Sequence, residues 1–112
     1  MFVFKSGRPV AAFSLNFKNC KNLRYSPLAY LDRGAFSFAV TMYKERKVYM
    51  TGGSGSIKAL SIFDADRNEW KQGPDLNHGR YGHSSISIAG HVVVFGGFQN
   101  DGNIEALRVG KD

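Results

Sequence analysis

The sequence predicts an all-β protein built from short antiparallel strands, and three observations support this prediction. The 112 residues include 13 Gly, 9 Phe and 5 Tyr, a composition that favours short strands joined by tight turns. Apolar and polar residues alternate with a period of two in several stretches, as in a pleated strand. Similar segments also recur along the chain at a fixed spacing, which is typical of repeat architectures.

The repeat has a period of 47 residues, which is the spacing from Arg33 to Arg80. At this shift the segments 10–15, 57–62 and 104–109 align, with alanine at the third place of each. Large apolar residues stand at the first, fourth and sixth places of all three segments. Loops accept changes of length and strand ladders do not, so this register indicates repeated strands.

One period contains four predicted strands. The first shows alternation over 36–42, and the second is a β-rich run over 48–51 that ends in a glycine pair. The third covers 59–63, and turn-forming residues separate it from a fourth that begins at Trp70. In the next period, the continuous apolar run 92–95 predicts a strand buried on both faces.

These features together resemble kelch repeats. The resemblance is strongest over 33–97 and weaker before Pro27, where Asn16 and Leu23 replace the expected aromatic residue and tryptophan. It implies an incomplete kelch-type β-propeller with four-stranded antiparallel blades. Residues 1–32 would supply three strands of a degenerate blade, 33–79 a complete blade, and 80–112 three strands of a further blade. The motif residues are Arg33, Gly52, Gly53, Phe63, Asp64, Trp70, Arg80, Gly96 and Gly97.

The chain is long enough for only about two blades, which cannot close into a ring. Rings of this type close with at least about four blades, and each repeat needs neighbours to bury its apolar surface. We therefore expect either a fragment of a larger propeller or a chain that completes its ring by self-association.

The resemblance implies a non-catalytic protein–protein interaction module. It also implies substrate recognition for a ubiquitin ligase wherever such repeats accompany a BTB or F-box domain. Arginine offers a planar fork to carboxylates, and aromatic rings offer rigid contact area, so an acidic peptide is the expected partner. The alternative for Arg33 and Arg80 is a structural role, in which they bind loop carbonyls and join adjacent blades. The partner-binding residues that the resemblance implies are Arg33, Ser54, His78, Arg80, Tyr81 and Phe98.

Other chemistries have weaker support in the sequence. The pairs Gly52-Gly53 and Gly96-Gly97 lack the spacing of phosphate-binding loops, so we assign them to turns and packing. We assign Phe63 and Trp70 to blade packing. Three histidines without a cysteine or carboxylate cluster do not indicate a metal site, and no cofactor is expected. The alternative enzyme hypothesis is a fragment of a copper oxidase or a sugar-processing propeller.

The charge pattern and the single cysteine bear on nucleic-acid binding, disulfide bonding and cellular location. The formal net charge is +6, but the basic residues are spread without a long run of like charge. Solvated loop charges are the favoured interpretation, and a basic nucleic-acid-binding surface is the alternative. Cys20 has no partner for an internal disulfide. Without a signal-peptide core or a membrane-spanning stretch, we expect a cytoplasmic protein, with the nucleus also open.

Overall fold

A computed structural model describes residues 2–6, 10–19, 22–31, 37–44, 46–55, 57–98 and 102–110. This part of the chain is all-β: it contains ten strands and no helix. The strands are β1 (Phe2–Lys5), β2 (Val10–Asn19), β3 (Asn22–Leu31), β4 (Ala39–Tyr43), β5 (Lys47–Thr51), β6 (Leu60–Asp64), β7 (Glu69–Gln72), β8 (Ser84–Ile88), β9 (His91–Phe95) and β10 (Ile104–Arg108).

The strands form three antiparallel sheets in which sequence neighbours are also spatial neighbours. The first sheet has the order β1-β2-β3, the central sheet β4-β5-β6-β7, and the last sheet β10-β9-β8. These sheets lie within the predicted segments 1–32, 33–79 and 80–112, respectively. Arg33 lies outside the described residues.

The turn from β6 to β7 shows the turn chemistry expected from its sequence. The Asp64 carboxylate accepts hydrogen bonds from the backbone N–H groups of Asp66 and Arg67, at 3.0 and 3.3 Å. Asn68 completes the turn with a φ of 51°, in the left-handed region that asparagine tolerates. This tight turn places the side chains of β6 and β7 opposite each other.

An aromatic core joins the first sheet to the central sheet. Phe63 and Met50 are fully buried, and Phe63 lies opposite Trp70 with ring centroids 5.1 Å apart. Phe4 of β1 meets both rings edge-on, at 6.1 Å from Phe63 and 5.7 Å from Trp70. The structure thus places Phe63 and Trp70 in the packing between two sheets.

A second core joins the central sheet to the last sheet. Tyr49 and Leu60 of the central sheet pack against Val92, and Leu107 contacts the same cluster. The central sheet is therefore covered on both faces. This packing explains why the described sheets stack rather than form separate units.

The last sheet is covered on one face only in the described part of the chain. Val92 and Val94 are 2% exposed, whereas Phe95 is 39% exposed. The expectation that the run 92–95 is buried on both faces is therefore wrong, because its apolar residues alternate between a covered and an uncovered face. Ile86 is paired with Val93 and lies on the uncovered face. No helix among the described residues is long and apolar enough to cross a membrane.

Candidate functional site

The glycine pairs bring one connecting loop close to two sheets. The loop from β7 to β8 passes the end of β5, where the Gly53 N–H donates to the Arg80 carbonyl at 2.8 Å. It then passes the end of β9, where the Phe98 N–H donates to the Tyr81 carbonyl at 3.1 Å. Gly52 has a φ of 59°, and a Cβ there would collide with the Arg80 carbonyl oxygen. Glycine is required at this position for both backbone conformation and close approach.

Arg80 is fully buried, and its guanidinium bonds within the chain. Its Nη1 donates to the carbonyl oxygens of Gly96 at 2.9 Å and Asn103 at 3.0 Å. Its Nε and Nη2 donate to Oε2 of Glu105 at 3.3 and 3.2 Å. This geometry corrects the expectation that the Arg80 side chain contacts a partner directly. It matches the structural alternative, in which the arginine satisfies loop carbonyls.

Glu105 supports the loop beside the groove, and the sequence reasoning did not identify it. Its side chain is 12% exposed, and it accepts the backbone N–H groups of Asn77 at 2.6 Å and His78 at 2.9 Å in addition to Arg80. Burial raises the pKa of Glu105, but these backbone donors and the Arg80 hydrogen bond and charge outweigh it. The net result is a lowered pKa. One feature of the sequence could have identified it. Glu105 is an acidic residue within the aligned segment 104–109, in the same repeat as Arg80.

A buried histidine lies beside the same loop. His83 is 8% exposed, and its Nε2 lies 2.8 Å from the hydroxyl of fully buried Thr51. Burial, followed by the nearby charge of Arg80, lowers the pKa of His83. The neutral imidazole is therefore favoured at this joint between sheets. The described residues contain no cluster of three or more His, Cys, Asp or Glu side chains suited to a metal ion.

An open groove of about 330 Å³ lies on the surface of this loop. Tyr81 and Phe98 stack on one side, with ring centroids 5.4 Å apart and planes inclined by 26°. Phe98 remains 59% exposed, and Ile57 is 47% exposed. The described lining residues are Ile57, Lys58, Asn77, His78, Gly79, Tyr81 and Phe98.

Backbone hydrogen bonds hold the two walls of the groove together. The Arg80 N–H donates to the Ile57 carbonyl, and the Leu76 N–H donates to the Lys58 carbonyl, both at 2.8 Å. A Cβ on Gly79 would lie 2.6 Å from Cδ1 of Ile57, so glycine permits this close contact. These contacts hold the segment at Ile57 and Lys58 against the loop from β7 to β8.

The structure brings together some of the predicted site residues and separates others. His78, Tyr81 and Phe98 line the groove. Arg80 lies beneath it, and Ser54 is exposed but is not part of its lining.

The groove combines apolar and aromatic surface with the cation Lys58, and its described lining contains no carboxylate. Such a surface has the chemistry to bind an extended chain that carries apolar and acidic side chains. The sequence matches no model of a known protein family and no curated protein.

Proposed function

We propose that this chain is a non-catalytic protein–protein interaction module and that the groove binds its partner. The stacked pair of Tyr81 and Phe98 is the observation that carries this proposal. Stacking on Tyr81 orients the Phe98 ring while leaving 59% of the residue exposed. A pre-positioned aromatic side chain loses little conformational entropy on binding, and such residues commonly dominate interface energies.

The expected partner is an acidic peptide segment. Lys58 is the charged group in the described lining of the groove, and the nearby Arg80 charge is compensated by Glu105. An acidic side chain of the partner would therefore lie near Lys58, with an apolar side chain against Ile57 and Phe98. The net charge of +6 would assist the approach of such a segment.

We further propose that the three stacked sheets are part of a kelch-type β-propeller. The glycine pairs, the four-stranded central sheet and the partly buried Trp70 support this proposal. A role as the substrate-recognition part of a cytoplasmic ubiquitin-ligase adaptor follows from the resemblance, on the condition that a BTB or F-box domain accompanies these repeats.

Selection from a random peptide library on the immobilised chain tests the proposed function. We expect enrichment of peptides with acidic and apolar residues, and their affinity is then measured by fluorescence anisotropy. Phe98→Ala is expected to weaken binding by about 2 kcal/mol, or roughly thirtyfold. Phe95→Ala is the matched control, because Phe95 is an exposed phenylalanine on the uncovered sheet face. Equal losses in both variants, or no enrichment, would contradict the proposal.

A further inference from the structure

His83 occupies the joint at which the loop from β7 to β8 meets the two glycine pairs. A Cβ on Gly52 would lie 2.9 Å from Cε1 of His83, and a Cβ on Gly97 would lie 3.0 Å from the Cβ of His83. The His83 side chain therefore packs closely against the ends of β5 and β9, and glycine at both places permits this approach. With 8% of the residue exposed, the imidazole is almost completely removed from water.

One of the two ring nitrogens of His83 has no hydrogen-bond partner in the described part of the chain. Nε2 lies 2.8 Å from the hydroxyl of Thr51, whereas Nδ1 is buried and unpaired. A neutral ring can donate from Nε2 to Thr51 and leave only a lone pair at Nδ1. The imidazolium carries an additional N–H at Nδ1, and a buried charged donor without an acceptor is strongly unfavourable.

The surroundings of His83 also oppose its protonation. Burial, and then the positive charge of Arg80, lowers the pKa of His83. Glu105 of β10 is already bonded to the Arg80 guanidinium and to two backbone N–H groups. From β5 the ring meets Thr51, and from the segment after β9 the side chain meets Gly97, neither of which titrates. Protonation therefore favours a conformation in which His83 is exposed to water.

Exposure of His83 requires the loop to move away from the glycine pairs. The Arg80 carbonyl accepts the N–H of Gly53, and the Tyr81 carbonyl accepts the N–H of Phe98. We call the loop seated when both of these bonds are formed. The stacked rings of Tyr81 and Phe98 form one wall of the groove, so this wall depends on the seated loop.

We propose that protonation of His83 releases the loop from the glycine pairs and disassembles the groove, so that acidification dissociates the bound partner. This inference rests on the function proposed for the groove, but the release of the loop is a property of the free chain. In the released loop, His83 would have the ordinary imidazole pKa of 6.5. The stabilisation of the seated loop is therefore complete above about pH 6.5 and is lost as the pH falls toward the lower pKa of the seated form.

Amide hydrogen exchange of the full chain without a partner tests the release of the loop. The protection factors of the Gly53 and Phe98 amides report the equilibrium between the seated and the released loop. We expect both to fall by up to about thirtyfold between pH 7.5 and 5.0, the limit for a histidine with a pKa of about 6.5 in the released loop. Ala65, whose N–H bonds the Arg46 carbonyl at the opposite end of the central sheet, is the control. Unchanged protection at Gly53 and Phe98, or an equal fall at Ala65, would overturn the proposal.

Fluorescence anisotropy with an acidic peptide from the library selection tests the effect on the groove. The affinity should fall by about fivefold or more over the same pH range, in which carboxyl groups with an ordinary pKa of about 4 stay mostly ionised. His83→Gln should remove most of this fall, because glutamine can bond Thr51 but does not titrate. His78→Gln should retain the fall, since His78 lines the groove and release of the loop acts through His83.

A second measurement on the unmodified chain covers the case in which His83→Gln perturbs folding. Binding and protonation are reciprocally linked, so a saturating peptide should lower the pKa of His83 further in an NMR titration of its ring protons. A pKa that the peptide leaves unchanged would overturn the proposal.

The outcomes separate this inference from the proposed function. If no peptide binds the groove, the proposed function is contradicted, whereas loss of protection at Gly53 and Phe98 would still establish release of the loop. Equal affinity at both pH values, or a fall in affinity that persists in His83→Gln, would overturn the inference and leave the proposed function standing.

Discussion

Replacement of Glu105 by glutamine is the sharpest test of the loop support beneath the groove. The substitution keeps the size of the side chain but removes its charge and one acceptor oxygen. The guanidinium of Arg80, fully buried, then lacks a counter-charge, and the N–H of Asn77 or of His78 loses its acceptor. Removing one partner of a buried ion pair typically costs about 3–5 kcal/mol.

The expected cost here is smaller, because glutamine retains one acceptor and the Glu105 side chain is 12% exposed. We expect the free energy of unfolding to fall by about 2–3 kcal/mol, a large share of the stability of a small domain. With an ordinary urea dependence, the unfolding midpoint would shift downward by about 1 M or more. Urea titration followed by tryptophan fluorescence measures this shift, because Trp70 is partly buried.

Glu69→Gln is the matched control. Glu69 and Arg67 are both mostly exposed, with 3.9 Å between the charged atoms, so the loss should be below about 0.5 kcal/mol. The Glu105 contribution also depends on pH. Its folded-state pKa is lowered from 4.5, so the stabilisation is complete above about pH 4.5 and is lost as the pH falls through the folded-state pKa. Equal stability of the Glu105→Gln and Glu69→Gln variants at neutral pH would refute the proposal that Glu105 supports the loop.

Two further predictions concern the joint between the central and last sheets. Gly52→Ala should lower the free energy of unfolding by about 2 kcal/mol or more, because the φ of 59° and the Arg80 carbonyl both disfavour a Cβ at this position. Thermal unfolding measures this loss. Gly102→Ala is the control, because Gly102 has a φ of 83° but open space around it. His83 has a lowered pKa, so its neutral form stabilises the fold above about pH 6.5 and this stabilisation is lost as the pH falls toward the folded-state pKa. Urea titrations at pH 7.5 and 5.5 should show a smaller change for His83→Gln than for the unmodified chain, and identical changes would contradict the role of burial.

The strands were predictable because their signals are local. Alternation and turn residues predicted a strand over 59–63 and another beginning at Trp70, and the structure has strands Leu60–Asp64 and Glu69–Gln72. Phe98 lines the groove, and its role in partner binding stays a prediction. These features depend on short stretches of sequence, such as a glycine pair and the residue that follows it.

The environment of Arg80 was not predictable in the same way. Its guanidinium is paired with Glu105, which is 25 residues away in the chain and lies on β10 of the last sheet. The prediction that the strand over 92–95 is buried on both faces was wrong for a related reason. Apolar sequence shows that a strand avoids water, but it does not show which faces a neighbouring sheet covers. Self-association stays a prediction that rests on the small number of blades in the chain.

The most direct test of the central claim is a backbone amide NMR titration of the full chain with an acidic peptide from the library selection. Binding in the groove predicts the largest chemical-shift changes at Lys58, His78, Gly79 and Phe98, with small changes in the hairpin between β4 and β5. The same titration of Phe98→Ala should need roughly thirty times more peptide to reach half-saturation. Chemical-shift changes concentrated in the hairpin between β4 and β5 or on the uncovered face of the last sheet, with the groove amides unchanged, would contradict the account.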